Sequence, residues 1–369
     1  MIDDRQSAEE ALREREEEDL QIALNFLRAL EIHANDHYSE PLWSLTRNGI
    51  GLAPLGNIMA IAAPMKSGKT WLMQIFATAM LRGEFMGFRC PIEDARVLWF
   101  DTEQDRYDTM MILRRIQQLC GWKDTQADNP KLHIYSLRSM DKMDATESVP
   151  KNRLMAIRAA VEYYRPTVVL IDGVRDLLDD FNDLKESNDL VQALMEMSAD
   201  TGCAIWNVLH VNPGSDKMRG HLGTELQNKV TDIFSVTKKK GADGSVLFEV
   251  EQTAARHRDI DGFSFRIDDS QKYSVPVLLG HEEAAQAQEG RADELREILG
   301  KYVPEMGGIS YTPLKNAIKA GESIGTKNAE NLISEAKRYG VIEKMIGGKF
   351  RIKNVEQITQ KNNENDLPF

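Results

Sequence analysis

The most informative segment of the sequence is Ile58-Met59-Ala60-Ile61-Ala62-Ala63-Pro64-Met65-Lys66-Ser67-Gly68-Lys69-Thr70, which is followed by Trp71-Leu72-Met73-Gln74-Ile75-Phe76. An apolar run, a loop of small residues and a helix-like segment form the strand–loop–helix context of a phosphate-binding loop. Backbone N–H groups of such a loop surround a phosphate, and the positive end of the helix dipole lies behind it. We expect Lys69 to bridge the β- and γ-phosphates of a nucleotide, and Thr70 to hold Mg²⁺ through its hydroxyl.

The predicted nucleotide-binding residues form one uninterrupted segment. They are Ala63, Pro64, Met65, Lys66, Ser67, Gly68, Lys69 and Thr70. Ala63 stands where this motif usually has glycine, and its methyl group is tolerated if its φ is negative. The alternative is an ordinary loop, but average residue frequencies produce such a match by accident in only a few per cent, roughly, of chains this long.

Length and composition limit the class of protein. A chain of 369 residues is long enough for two domains, and its net charge of −12 argues against a protein that coats nucleic acid uniformly, while a local basic surface remains possible. Cys90, Cys120 and Cys203 have no metal-type or redox-type spacing, and their odd number suits a reducing compartment. We find no leader-like start and no apolar run of membrane-spanning length, so we expect a cytoplasmic protein without a membrane partner.

Three more apolar runs each end in a polar residue. Residues 97–100 precede Asp101-Thr102-Glu103-Gln104, residues 167–171 precede Asp172, and residues 204–209 precede His210. Short, continuous apolar runs are typical of buried parallel strands, and ligands of such sheets lie at the carboxyl ends of the strands. Helix-like segments lie between the runs, which predicts an α/β fold with a mostly parallel sheet covered by helices.

After residue 230 the apolar runs become shorter or alternate with polar residues. Four shorter strands are predicted at residues 230–236, 246–251, 263–267 and 273–279. The turn-forming residues 241–244 separate the first two, which predicts a hairpin. We expect these strands to extend the sheet in an antiparallel manner at one edge.

An acidic arm, residues 1–44, precedes this core. Residues 1–20 contain nine acidic and three basic residues, which is typical of a solvated helix or a frayed tail. Apolar residues then recur at helical spacing, at Leu20, Ile22, Ala23, Phe26, Leu27 and Leu30. This stripe predicts a helix that packs either on the core of its own chain or on the next subunit of an assembly.

The segment 291–353 is predicted to form a small C-terminal winged-helix domain, connected to the core domain, residues 45–279, by a linker at 280–290. It contains twelve Lys or Arg and eight Asp or Glu, so it is locally basic in an acidic protein. Helices are predicted at 291–302, 312–320 and 326–339, with a hairpin around Gly347-Gly348. Lys327, Lys337 and Arg338 are its predicted DNA-binding residues, although winged helices also serve as protein-docking modules.

Strand-end residues can be given chemical roles. Asp172 is expected to hold Mg²⁺, Glu103 to orient and deprotonate the attacking water, and His210 to hydrogen-bond the γ-phosphate. The structural alternatives are a turn-capping aspartate, a surface acid and a packed histidine. The following loop, residues 211–225, is glycine-rich and contains Lys217 and Arg219, which suits contact with a nucleic-acid backbone or merely a connection.

This ordered set of residues resembles the RecA-like ATPase core, and within it the plasmid RepA-type and DnaB-type hexameric helicases. The resemblance covers roughly residues 45–279 and rests on residues 63–70, Glu103, Asp172, His210 and Arg219-Gly220. Residues 255–262 are similar to the basic-x-Arg element that DnaB-type subunits insert into a neighbour's ATP site. The resemblance therefore implies a catalytic finger at Arg258, with Arg256 beside it, acting in trans.

The resemblance also implies cofactors and partners: ATP and Mg²⁺, a homo-oligomer that is a hexamer, and DNA, in single-stranded form. Two residues depart from the family pattern, namely Ala63 and the Arg at the first finger position, where Lys is common. The large N-terminal primase-binding domain of DnaB is not represented. The shorter layout is more similar to ATPases of plasmids and mobile elements.

The predicted flexible tail, residues 354–369, ends in Asp366-Leu367-Pro368-Phe369. This resembles the acidic tip of single-stranded-DNA-binding proteins, in which the terminal aromatic ring enters an apolar, basic pocket on partner enzymes. Phe369 would supply buried area, and Glu364, Asp366 and the carboxylate would supply charge. The tail therefore predicts a replication or repair partner, with a frayed end as the alternative.

Three functions remain open at this stage. The first is an ATP-hydrolysing, ring-forming DNA motor or helicase of a plasmid or mobile element. The second is a RecA-like DNA-dependent ATPase that switches state without unwinding DNA. The third is a winged-helix DNA-binding regulator that uses ATP as an assembly ligand, and Glu103 argues against it because a nucleotide sensor does not need a water-activating carboxylate.

Overall fold

The computed structural model describes residues 2–123, 127–212, 218–240, 245–304, 306–345 and 347–353; for residues 2–14, 281–289 and 338 it describes the backbone alone. The chain divides into two units, Met1–Pro41 and Leu42–Phe369. The predictions made for the tail, residues 354–369, lie outside the described residues.

The first unit consists of helix α1 (Ile2–Leu30) and the residues that follow it. The predicted apolar stripe is on this helix, and its large side chains are exposed, with Phe26 at 68% and Ile22 at 62% of their full accessible surface. The helix therefore presents apolar surface that a packed helix would bury.

The second unit begins with strands and alternates strands with helices. Its elements up to residue 278 are β1 (Trp43–Arg47), β2 (Ile50–Pro54), β3 (Ile58–Ala63), α2 (Lys69–Arg82), β4 (Glu84–Phe85), β5 (Phe88–Arg89), β6 (Val97–Asp101), α3 (Arg106–Leu119), β7 (Leu132–Ser136), α4 (Val149–Tyr164), β8 (Val168–Asp172), α5 (Leu184–Thr201), β9 (Ala204–His210), α6 (Gly220–Lys229), β10 (Asp232–Lys240), β11 (Val246–Ala255), β12 (Phe263–Asp268) and β13 (Val275–Leu278).

The main sheet has nine strands among the described residues, in the order β13-β12-β11-β10-β3-β9-β8-β6-β7. The six strands from β10 to β7 run parallel, and β11, β12 and β13 continue the sheet in antiparallel fashion. The predicted α/β class with a mostly parallel, helix-covered sheet is confirmed.

Both faces of this sheet are buried, which explains the continuous apolar runs. One face packs against α2 and α3 around Trp99, Trp206 and Phe76. The other packs against α4, α5 and α6 around Phe100, Ile171 and Leu194. Because successive residues of a strand point to opposite faces, neighbours such as Trp99 and Phe100 serve different cores.

Three features of the sheet differ from the sequence prediction. Strand β10 pairs in parallel with β3, through Ile233 and Ala60, whereas an antiparallel extension was predicted from this strand onward. Helix α6 carries the chain back before β10 begins, so β10 enters the sheet in the same direction as its neighbour. Strand β7 and a separate four-stranded sheet, in the order β2-β1-β5-β4, were not predicted.

The C-terminal part contains three helices and a hairpin. Its elements are α7 (His281–Gly300), α8 (Tyr311–Gly321), α9 (Thr326–Arg338), β14 (Ile342–Lys344) and β15 (Phe350–Ile352). Residues 280–290 were predicted to be a linker, but all except Gly280 lie in the first half of α7. The three helices and the hairpin share one core that includes Leu295, Leu314, Ile333 and Phe350.

None of the helices in the described part of the chain combines the length and apolar character needed to cross a membrane.

Candidate nucleotide-binding site

Five predicted site residues meet at the carboxyl ends of the parallel strands of the main sheet. Ala63 pairs with His210 across β3 and β9, and Asp101 pairs with Asp172 across β6 and β8, so these four strands end at the same level. Lys69 and Thr70 begin α2, directly after the loop that follows β3. The parallel topology therefore brings Lys69, Thr70, Glu103, Asp172 and His210 together.

The loop between β3 and α2 has the backbone of an anion-binding nest. Lys66 and Gly68 both have left-handed φ values, +59° and +104°. Among the described residues, the backbone N–H groups of residues 65–70 donate no hydrogen bond to the protein. The Ser67 hydroxyl is buried and has no hydrogen-bond partner in the part of the chain that the structure describes. Such a group of unpaired donors at a helix N-terminus fits a phosphate.

The surroundings of Ala63 and Gly68 explain why these residue types occur in the loop. Ala63 is the last residue of β3, so its methyl group is accommodated by an extended backbone. At Gly68, a Cβ atom would lie 2.5 Å from Cδ1 of Phe248, and the φ value is one that side chains rarely adopt. Glycine is therefore required at position 68 by two independent constraints.

The Thr70 hydroxyl donates a 2.9 Å hydrogen bond to Oδ2 of Asp172. Asp172 is almost fully buried, and burial, with the negative charges of Asp101 and Glu103, raises its pKa to about 7. A hydroxyl and a carboxylate in contact, in a place where negative charge is concentrated, fit the ligand preference of Mg²⁺. Thr70 and Asp172 therefore form a pair that is able to hold this cation.

Lys69 lies at the centre of the site. Its Nζ atom is 2.8 Å from the Pro64 carbonyl oxygen and 3.0 Å from Nδ1 of His210. Burial lowers the pKa of Lys69, while the charges of Asp172 and Glu103 oppose that shift. Because an ammonium group only donates, Nδ1 of His210 is the acceptor and the other ring nitrogen carries the proton of the neutral imidazole.

Glu103 completes a chain of polar contacts. Its Oε1 atom is 3.3 Å from Nε2 of His210, the nitrogen that carries the proton. The hydrogen bond from His210 is the main cause that holds the pKa of Glu103 below its usual range, so the carboxylate is ionised at neutral pH. The structure thus links Lys69, His210 and Glu103 in sequence.

Asp101 is a positioning residue that the sequence prediction did not identify. It is fully buried, and its Oδ1 atom accepts from the backbone N–H groups of Glu103 (3.0 Å) and Gln104 (2.8 Å). Its other oxygen accepts from Thr109. Burial raises the pKa of Asp101. An aspartate two residues before a candidate base, at the end of an apolar run, is the signal that could have revealed this turn.

Gly173 lets Glu103 approach the end of β8. At this position φ is +104°, and a Cβ atom would lie 2.2 Å from Oγ1 of Thr102 and 3.1 Å from Cγ of Glu103. We expect Gly173→Ala to destabilise the protein by about 1–3 kcal/mol and to reduce ATP hydrolysis, because Thr102 and Glu103 must move.

Thermal unfolding and a steady-state ATPase assay measure both effects. Gly202→Ala is the matched control: its φ is also positive, +67°, but no atom would lie within 4 Å of the new Cβ. Equal hydrolysis by the Gly173 and Gly202 variants would show that the Gly173 contact does not position Glu103.

The predicted finger residues lie elsewhere. Ala255, the last residue of β11, pairs with Asp232 at the start of β10, and Ile233 of β10 pairs with Ala60 of β3. Arg256 and Arg258 therefore follow β11 at the end of the sheet where β3 and β10 begin, which is opposite the loop of Lys69. At about 3.3 Å per residue of strand β3, that end of the sheet is roughly 16 Å from the loop. Arg256 donates to the carbonyl oxygens of Asn228 and Lys229, whereas Arg258 is exposed and has no polar partner in the described part of the chain.

Arg219 lies at the end of the loop that follows His210. Its backbone N–H donates to the carbonyl oxygen of His210 at 3.0 Å, and Val211 bridges Met218. Its guanidinium lies 5.1 Å from the ring centre of Phe181, and that of Arg175 lies 4.7 Å from the same ring. Sequence reasoning missed Phe181 and Arg175, while Lys217 lies outside the described residues.

The predicted DNA-binding residues of the C-terminal part are on α9. Lys327 is exposed in its first turn. Lys337 lies 4.5 Å from the ring centre of Phe350 and 5.4 Å from that of Tyr311. Arg338 is the last residue of α9, and its side chain is outside the described part. The structure thus describes the side chains of Lys327, which is exposed, and Lys337, which lies over two aromatic rings.

Comparison with protein-family models gives a match over half of the chain. The model of a family described as "AAA domain" matches residues 27–216, which include the phosphate-binding loop, Glu103, Asp172 and His210. No curated protein matches the chain.

Proposed function

Since the chain belongs to the AAA-domain family, which consists of P-loop ATPases and includes helicase-type members, we propose that it is an ATP-hydrolysing, ring-forming DNA motor or helicase. The observation that carries the proposal is the chain of contacts from Lys69 through His210 to Glu103, at the carboxyl ends of parallel strands. It joins a phosphate-binding cation to an ionised carboxylate, which are the two groups that hydrolysis of a phosphoanhydride requires.

Binding of ATP is assigned to the loop of residues 63–70. Its unpaired N–H groups and the Ser67 hydroxyl receive the phosphates, and Lys69 turns from the Pro64 carbonyl oxygen toward them. Thr70 and Asp172 would hold Mg²⁺, which when bound neutralises charge on the phosphates. Lys69 and Asp172 are buried, which strengthens the electrostatic contacts that these two residues make.

Hydrolysis is assigned to Glu103. Its carboxylate is ionised and is held by the Asp101 turn and by His210, so it is available to accept a proton from an attacking water. His210 touches both Glu103 and Lys69, and its carbonyl oxygen accepts from Arg219. A change in the phosphate contacts is therefore transmitted through one residue to the end of the following loop.

Ring formation is supported by two observations. Arg258 follows β11 at the end of the sheet opposite its own phosphate-binding loop, so a catalytic finger at this position would act on the site of another copy. The apolar stripe of α1, considered by itself, is a surface that suits packing on a neighbouring subunit, which is one of the two alternatives for this helix. A hexamer is the ring that the resemblance to DnaB-type and RepA-type helicases implies.

Two regions are assigned to DNA. The loop that ends at Arg219 is proposed to contact single-stranded DNA, and the three C-terminal helices with their hairpin are proposed to form a winged-helix domain. The local basic excess of this domain supports a DNA-binding role over protein docking. Its presence after the ATPase core is also the reason for proposing a role in a plasmid or mobile element.

We expect Arg219→Ala to weaken binding of single-stranded DNA and to reduce the slope of log affinity against log salt by about 0.7, the value for one lost phosphate contact. Fluorescence anisotropy with a labelled oligothymidylate at several salt concentrations measures both. Arg158→Ala, an exposed arginine on α4, is the control. An unchanged slope would remove Arg219 from the DNA site.

The alternative of a DNA-dependent ATPase that does not unwind DNA retains the same site. Strand displacement from a forked duplex, measured beside ATP hydrolysis, separates the two functions. The proposal predicts displacement that requires ATP. Hydrolysis stimulated by DNA without displacement would favour the alternative, and no hydrolysis at all would contradict both.

A further inference from the structure

The segment between β11 and β12, residues 256–262, is held at both of its ends. We call it the finger segment because it contains Arg258. At its start, the backbone N–H of Arg256 donates to the carbonyl oxygen of Thr231 at 2.9 Å, and the Arg256 guanidinium donates to carbonyl oxygens at the end of α6. Toward its other end, Ile260 is buried in the core on the α2 side of the sheet. Between these two fixed points, the side chain of Arg258 is exposed.

A glutamine of β11 fixes the second of these ends. The backbone N–H of Ile260 donates to Oε1 of Gln252 at 2.8 Å, and Nε2 of Gln252 donates to Oδ1 of Asp232 at 2.8 Å. A β-bulge at Thr253, beside Gln252, interrupts the pairing of β10 and β11. Because a bulge redirects the side chains next to it, a residue of the strand is able to bind the backbone of the segment that follows the strand.

Asp232 is buried, and it accepts hydrogen bonds from three sides. Its Oδ2 atom accepts from the backbone N–H of Ala53 at 3.0 Å and from the Thr231 hydroxyl at 3.2 Å, while its Oδ1 atom accepts from Gln252. Ala53 has a left-handed φ of +50°, a conformation that persists in a residue other than glycine only where its surroundings impose it. The contacts of Asp232 therefore join β2, β10 and β11 into a rigid base for Gln252.

An aromatic contact supports the middle of the finger segment. The ring centres of Trp43 and His257 are 4.9 Å apart and the ring planes are at 89°, which is an edge-to-face arrangement. Gly51 on the neighbouring strand β2 makes room for the Trp43 ring, since a Cβ atom at Gly51 would lie 2.2 Å from Cδ2 of Trp43. His257 immediately precedes Arg258. The contact therefore restricts the backbone from which the Arg258 side chain projects.

We propose that Gln252 and Trp43 are positioning residues for Arg258, which hold the finger segment in the geometry that the ATP site of a neighbouring copy requires. This role rests on the finger function proposed above for Arg258. A side chain that stabilises a transition state acts best when it is placed in advance, because ordering it during the reaction costs conformational entropy. Gln252 and Trp43 supply that order from two different strands.

Steady-state ATP hydrolysis by the full chain tests this role. Gln252→Ala removes both hydrogen bonds and should lower kcat by about 10- to 100-fold, the cost of misplacing a group by about 1 Å, while KM for ATP stays unchanged because the finger acts in the transition state. Trp43→Ala should have a similar effect, and Trp43→Phe, which keeps an aromatic ring beside His257, should restore most of the activity. Gln118→Ala is the matched control, because this half-buried glutamine also makes two side-chain hydrogen bonds but lies on α3.

Subunit mixing separates a positioning role from a general loss of structure. A Gln252→Ala copy keeps its own phosphate-binding loop, so mixing it with Lys69→Ala copies, which supply an intact finger, should raise hydrolysis above that of either variant alone. Mixing it with Arg258→Ala copies should give no such rise, because no copy then supplies an intact finger. The reverse pattern would show that Gln252 supports the phosphate-binding loop of its own copy, and it would overturn the proposal.

Thermal unfolding and native mass spectrometry establish that each variant is folded and assembled, and the Trp43→Ala and Trp43→Phe pair carries the same mixing test if Gln252→Ala does not assemble. The double variant Gln252→Ala/Arg258→Ala should hydrolyse ATP no more slowly than Arg258→Ala, because both changes remove one interaction. Wild-type hydrolysis by either Gln252→Ala or Trp43→Ala, beside an inactive Arg258→Ala, would overturn the positioning role and leave the finger in place. Wild-type hydrolysis by Arg258→Ala would overturn both.

Discussion

Replacing Glu103 by Gln is expected to slow ATP hydrolysis about 100-fold or more while ATP binding is retained. The physical reason is that Gln preserves the shape of the side chain but cannot accept the proton of the attacking water. The phosphate-binding donors, which belong to residues 63–70 and do not include Glu103, are untouched. Single-turnover hydrolysis and equilibrium binding of a fluorescent ATP analogue separate the two effects.

Two comparisons make this prediction specific. Lys69→Ala should lose both hydrolysis and affinity, because Lys69 contacts phosphate in the ground state as well as in the transition state. Glu162→Gln, an exposed glutamate of α4, should behave as wild type. A Glu103→Gln protein that hydrolyses ATP at the wild-type rate would refute the assignment of the general base.

The second large effect is expected at Arg258. Arg258→Ala should still assemble and bind ATP but should lose about 1000-fold or more in hydrolysis, because a finger of this kind stabilises the charge that develops on the transferred phosphoryl group. Arg266→Ala, an exposed arginine on β12, is the matched control. Full activity of the Arg258→Ala protein would exclude a catalytic finger at this position.

Much of the site was predictable because its information is local. Each buried parallel strand is read as a continuous apolar run, and the parallel order requires that the polar residues following these runs meet at one edge. Glu103, Asp172 and His210 were identified in this way. The contact of His210 with Lys69 then follows from the pairing of β3 with β9, which adjoin in the sheet though they are far apart in sequence.

The features that were missed depend on tertiary structure. Strand β10 has the same residue pattern whether it runs parallel or antiparallel to β3, since pattern reports burial and not direction. Strand β7 is a sheet edge with only Leu132 fully buried, so its apolar signal is weak. Arg175 and Arg219 stack on Phe181 from two separate segments of the chain. No local sequence pattern predicts such a contact.

The length of α7 illustrates another limit. Residues 281–289 contain Ala, Glu and Gln, which are good helix formers. The glycines on either side of them, Gly280 and Gly290, led to the prediction of a linker. In the structure Gly290 lies inside the helix, and Ala292, Leu295 and Leu299 anchor the second half in the C-terminal core. Packing of the second half therefore outweighs the cost of a helical glycine, which is about 1 kcal/mol.

In the proposed assembly, each ATP site is completed by a second copy of the chain. Mixing Arg258→Ala with Lys69→Ala subunits and measuring ATP hydrolysis tests it most directly, with native mass spectrometry to establish that mixed assemblies form. Each variant alone should be inactive. The mixture should recover a fraction of wild-type activity, because some interfaces then pair an intact phosphate-binding loop with an intact finger. Mixed assemblies that remain as inactive as the separate variants would contradict a site shared between subunits.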